Sequence, residues 1–121
     1  MTTRIAFQLQ VHPELLDEYI ARHSPVWPEM LAEIAASGRR NYSIFLANGG
    51  TLFGYYETDD DQAAQAYLAS SVVAARWEAE MSRFFEGLEG RPDQAATVLT
   101  EVFNLADQQA GAHTTTESDL S

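Results

Sequence analysis

Tyr19 and His23 lie four residues apart in a segment with helical spacing, so their side chains meet on one face of a helix. An imidazole titrates near neutrality and can both give and take a proton. A tyrosine hydroxyl beside it can orient the ring or hold a substrate hydroxyl. By spacing alone, such a pair is more often a partly buried histidine satisfied by its neighbour. Arg22 has an ordinary partner in Glu18, four residues earlier, as a surface ion pair. Trp27 falls one helical turn beyond His23, and Trp77 precedes Met81 by four residues. An indole face can support the apolar side of a sugar ring, but for either Trp alone core packing is the better reading, and Met81 also reads as core. Tyr42 follows Asn41 on a strand, with its hydroxyl either at the rim or in a cavity beside His23. Tyr55, Tyr56 and Tyr67 have no spacing that singles them out.

Several chemistries are excluded. The chain has no cysteine, so disulfides, thiolate nucleophiles and thiolate metal sites are absent. His12, His23 and His113 show no ligand spacing with one another, and HExxH does not occur. Glycine-rich phosphate loops and GxSxG are also missing. Asp59, Asp60 and Asp61 read as the solvated start of a helix. With 18 acidic against 7 basic residues the net charge is −11, which disfavours nucleic acid and anionic membrane surfaces and does not argue against a neutral small molecule as partner. The N-terminal MTTRIAFQLQVHPELLDEY has no apolar signal core, and no apolar run approaches a membrane span, so a cytoplasmic location is expected.

These side chains must be positioned by the elements that carry them. Ile5, Phe7, Leu9 and Val11 alternate with Gln8 and Gln10 in a half-buried strand over 4–11. From Pro13 to Ser37 the pattern is helical, with Leu15, Leu16, Tyr19, Ile20 and His23 on one side and Met30, Leu31, Ile34 and Ala35 continuing the stripe. Ser24-Pro25 and Pro28 predict a break within it, and Gly38 a left-handed stop. A second strand over 40–47 sets Tyr42, Ile44 and Leu46 against Asn41, Ser43 and Phe45. Asn48-Gly49-Gly50 then turns it into a third strand over 51–58. Thr58 or Asp59 is placed to cap a helix over 60–69. Another helix spans 72–87 with Val73, Trp77, Met81 and Phe84 at helical spacing, and TVLTEVFNL over 97–105 reads as a last strand. Residues 1–106 form one domain in this reading, and the polar 107–121 a disordered tail that contains His113.

The order β-α-β-β-α-β is that of a ferredoxin-like α+β fold, with a four-stranded antiparallel sheet covered by helices on one face. Phe45 and the aromatic third strand place apolar groups on both faces. Packing of two sheets in a homodimer, in the manner of dimeric α+β barrels, is the simplest way to bury the second face.

Several strings also carry a family resemblance. YIARHSPVWPEML at 19–31 resembles the first-helix motif of the L-rhamnose mutarotases, and NYSIFL at 41–46, LFGYYE at 52–57, RWEAEM at 76–81 and LTEVFNL at 99–105 follow that family's later segments in order. The resemblance covers about residues 4–105. It implies a dimeric ferredoxin-like protein that interconverts the α and β anomers of a deoxy-sugar, most simply L-rhamnose, without a cofactor. Carried over residue by residue, it makes His23 the catalytic proton donor, with Tyr19 and Tyr42 binding sugar hydroxyls and Trp77 lining the ring site. Many members have a second Trp after the first; here that position is Glu78, which either bonds a sugar hydroxyl, faces solvent or marks a different sugar preference.

Two other readings use the same residues. Cofactor-independent monooxygenases of ferredoxin-like plan also place His, Trp and Tyr in a cavity, and oxygen uptake would reveal one. A non-catalytic sugar-binding module would bind saccharide without speeding anomer exchange.

Overall fold

The computed structural model describes residues 2–88 and 91–112. Strand β1 (Thr3–Gln10) leads through a 3-10 turn at Pro13–Leu15 into helices α1 (Leu16–Arg22) and α2 (Pro28–Ser37). The hairpin β2 (Arg40–Leu46) and β3 (Thr51–Thr58) follows, then helices α3 (Asp61–Ala69) and α4 (Val72–Met81), a 3-10 turn at Ser82–Phe84, a short α5 (Pro92–Ala95), β4 (Thr97–Val98) and α6 (Leu105–Ala112). The strands lie in the order β2-β3-β1-β4 and every pairing is antiparallel, as the ferredoxin-like expectation requires.

The local signals act where their chemistry dictates. Pro28 opens α2 at a position that needs no N–H donor. Gly38 ends α2 at φ 98°, a left-handed backbone that an L side chain resists. Phe7, Leu9 and Val11 of the first alternating run are buried against Leu52 and Tyr56 of β3. Gly54, opposite Phe7 in the register, leaves room for its ring: a Cβ there would stand 2.0 Å from the ring's Cζ. On α4 the buried residues Ala74, Trp77, Glu78 and Met81 form one helical stripe, and a carboxylate is the odd member of it.

Several expectations are corrected. Asp60, not Thr58 or Asp59, caps α3, its carboxylate accepting from the Ala63 N–H at 3.0 Å. Helix α4 stops at Met81 rather than 87. Phe84 and Phe85 are adjacent and both buried, which one helix face cannot achieve; the 3-10 exit and an extended Phe85 bridged to Val11 bury both. Ile20 and Leu31 are about half exposed and leave the buried stripe. In the last segment only Thr97 and Val98 pair, with Gln8 and Phe7 of β1. Alternation signals a half-buried strand without naming its neighbour, and beyond Leu99 the sheet of this chain offers none. Residues 105–112, placed across the expected boundary of an irregular tail, are helical. Arg4 reaches this region through Glu101 at 2.7 Å and Asp107 at 2.5 Å. His113 lies outside the described residues.

The main departure in register lies in β2. Arg40 pairs with Glu57 and Ser43 with Tyr55, so two residues, Asn41 and Tyr42, oppose the single Tyr56. Asn41 takes a positive φ of 49°, which asparagine tolerates better than most residues. The bulge shifts the alternation by one residue. Arg40 joins the face of Phe45, and Arg39 turns to the helix-covered face beside Tyr42 and Tyr56.

Candidate active site

Between the sheet and the helices lies a cavity of about 580 Å³. Tyr19 and His23 enter it from α1, Tyr42 from β2, and Trp77 and Glu78 from α4, so the five residues singled out in the sequence line one space. The cavity floor includes Phe7. Tyr42 meets the Phe7 ring edge-on at 6.2 Å and stacks on Tyr56 at 5.2 Å.

His23 is held on three sides. It terminates α1, where its Nδ1 lies 2.8 Å from the Tyr19 carbonyl oxygen. A carbonyl only accepts, so Nδ1 carries the proton and the neutral ring keeps its lone pair on Nε2. The Tyr19 ring lies 4.2 Å away at a tilt of 32°, and the Trp77 ring meets the imidazole edge-on at 5.4 Å. The i, i+4 spacing thus brings Tyr19 and His23 together through backbone and ring face. Burial lowers the His23 pKa from its usual 6.5, against the opposing pull of the Tyr19 carbonyl, so the ring is largely neutral at pH 7. Burial also pushes the Tyr19 hydroxyl well above its ordinary value of 10, reinforced by nearby Tyr42 and Glu78. Tyr19 therefore stays protonated throughout the physiological range, a hydroxyl that bonds rather than a tyrosinate base.

Behind these groups stands an aromatic backing. Phe84 and Phe85 meet the Tyr19 ring edge-on at 5.6 and 5.8 Å. Trp27, which ends the loop before α2, packs edge-on against Trp77 at 5.1 Å, and the Arg76 guanidinium lies over the Trp27 ring at 5.6 Å. Met81 is core, 2% exposed. Glu78, on the buried stripe beside Trp77, is 6% exposed. Tyr55 and Tyr67 belong elsewhere, donating to Glu57 at 2.8 Å and to Glu33 at 3.0 Å. Arg22 and Glu18 do not form the expected ion pair. Arg22 reaches Glu80 at 3.2 Å and Glu18 takes Arg83, so both charges tie α1 to the α4 region rather than to each other.

Arg39, absent from the sequence-based candidates, also lines the cavity. Strict alternation puts it on the outer face with Asn41, and only the bulge brings it inside. An asparagine within Gly-Arg-Arg-Asn is the one local hint of that bulge. Among the described residues, no cluster of three or more His, Asp or Glu side chains is placed to hold a metal ion.

A family model described as L-rhamnose mutarotase matches residues 4–105. The L-rhamnose mutarotase of Oceanobacillus iheyensis is 36% identical over 103 residues, spanning 84% of this chain and 97% of that protein. The crystal structure of an L-rhamnose mutarotase from Formosa agariphila superposes with a TM-score of 0.69 at 26% identity, covering 85% of this chain and 98% of the other. A dimeric ferredoxin-like protein from an uncultured marine organism shares the fold at a TM-score of 0.51 and 13% identity, over 84% of this chain and 91% of that one.

Proposed function

The chain belongs to the L-rhamnose mutarotase family, and from that premise we propose that it interconverts the α and β anomers of a 6-deoxy sugar, L-rhamnose foremost, by opening and reclosing the ring. The observation that carries the chemistry is the orientation of His23. With Nδ1–H committed to the Tyr19 carbonyl, Nε2 is the nitrogen free to exchange a proton in the cavity. Opening a cyclic hemiacetal requires removal of the anomeric hydroxyl proton and protonation of the ring oxygen. Both oxygens are bonded to the same carbon, so one nitrogen can serve each in turn. Neutral Nε2 takes the hydroxyl proton, and the resulting imidazolium gives it to the ring oxygen as the acid. The aldehyde rotates about its C1–C2 bond and closes on the opposite face, with the proton moving in reverse.

Tyr19 and Tyr42 are the hydroxyls that hold the sugar, Trp77 is the platform for its apolar side, and Glu78 is an acceptor for a sugar O–H. The test is exchange between the two anomers of L-rhamnose followed by saturation-transfer NMR. Saturation should pass between the anomeric signals only when the protein is present at catalytic amounts. No acceleration over buffer would refute the activity.

The same reading makes the protein a cytoplasmic homodimer. Its support is apolar surface left uncovered on one chain: Phe45 is 64% exposed, Val102 89% and Phe103 59%. Such residues in one chain mark a contact surface, and the expected result is a sedimentation mass twice that of the monomer. No described helix is long and apolar enough to cross a membrane.

A further inference from the structure

Arg39 is 6% exposed, and its Nε and Nη2 have no hydrogen-bond partner among the described residues. A guanidinium is always charged, and burying one with donors unmatched is among the costlier things a fold can do. The group lies over the Tyr56 ring at 4.3 Å, and the Tyr56 hydroxyl donates to Asp61 at 2.6 Å. That ring offers a cation–π attraction, but a ring face does not supply the hydrogen-bond acceptors that Nε and Nη2 lack. The backbone is arranged to bring the residue there, through Gly38 at φ 98° and the bulge at Asn41.

The same cavity is lined by Glu78, also 6% exposed. One wall group can only donate and the other, when ionised, only accept. A sugar hydroxyl does both, and two adjacent hydroxyls match the planar fork of an arginine. We propose that Arg39 is a substrate-binding residue that donates to adjacent ring hydroxyls of the sugar and so determines which diol the cavity accepts. This assignment rests on the mutarotase reading for the ligand being a sugar.

The proposal has an unusual signature, because the same side chain should help binding and burden the free protein. Wild type, Arg39→Met and Arg39→Lys are compared in anomer exchange over a range of L-rhamnose concentrations, and in thermal unfolding without sugar. Arg39→Met should raise KM tenfold or more, with a smaller effect on kcat, while Tm is unchanged or rises by about 2–5 °C. Arg39→Lys, which keeps the charge without the fork, should fall between. An unchanged KM overturns the proposal. A raised KM together with a lowered Tm overturns it too, because Arg39 would then be supporting the fold through Tyr56. Should the wild type fail to speed exchange, the mutarotase reading falls by itself. Ligand-observed NMR of L-rhamnose binding to the same three proteins then decides on Arg39.

Discussion

Replacing His23 by Gln is expected to slow anomer exchange by about 10²-fold or more, roughly 2.7 kcal/mol of barrier. Gln keeps a polar side chain at the end of α1 but has no group that titrates, so the loss falls on proton transfer. The check is exchange rate by saturation-transfer NMR, with thermal unfolding to show that the fold persists; an unchanged rate removes His23 from the chemistry. The pH profile adds a second reading. Because burial lowers the His23 pKa, the neutral ring persists below pH 6.5, and kcat/KM should stay level above pH 7 and fall only at a midpoint under 6.5. A rate that instead climbs as His23 becomes protonated would show that the imidazolium starts the reaction.

The same shift appears in stability. The unfolded chain binds a proton at 6.5 and the folded chain only at a lower pH, so between them the unfolded state holds more protons. The contribution is therefore fully present above 6.5 and is lost as pH falls through that value toward the folded one. His23→Gln should remove this part of the acid destabilisation while leaving the rest.

Phe84→Ala should lower stability by about 3–5 kcal/mol. Phe84 is fully buried where the 3-10 turn after α4 meets the end of β1, and its backbone carbonyl accepts from the His12 N–H at 2.7 Å. Few sites are worse placed to collapse onto a cavity, since a hydrogen-bonded strand end and two helices hold the walls. The loss is a large share of the 5–15 kcal/mol typical of a domain, and the urea midpoint should fall by about 2 M. A shift under about 0.5 M would mean that the space refills. The ring also backs Tyr19 edge-on at 5.6 Å, and Tyr19 in turn backs His23. Folded Phe84→Ala should therefore lose exchange rate at temperatures where the fraction folded is unchanged, the loss reading through the looser placement of Tyr19.

The Tyr19–His23 pair shows how far spacing carries. Residues four apart on a helix must meet, and they do. Whether they meet by hydroxyl, ring face or backbone depends on where α1 ends. It ends at His23 and gives the ring a carbonyl to bond. The charged residues on the same helix show the limit. Arg22 and Glu18 share the right spacing for each other, yet both take partners from the α4 region, because exposed pairs at i, i+4 are weak enough for a neighbouring element to outbid.

The ferredoxin-like plan and the capping glycine at 38 were legible in the sequence, which also offered His23, Tyr19, Tyr42, Trp77 and Glu78 as candidate site residues. Each of these is written in local periodicity or in motifs that survive as contiguous strings. Tertiary structure decided that the five line one cavity. It decided that the last strand pairs only at Thr97 and Val98, and that one extra residue at Asn41 turns Arg39 inward. The physical reason is common to all three. Strand neighbours, bulges and cavity walls depend on which backbone lies alongside, and alternation along one strand records only that one of its faces is buried.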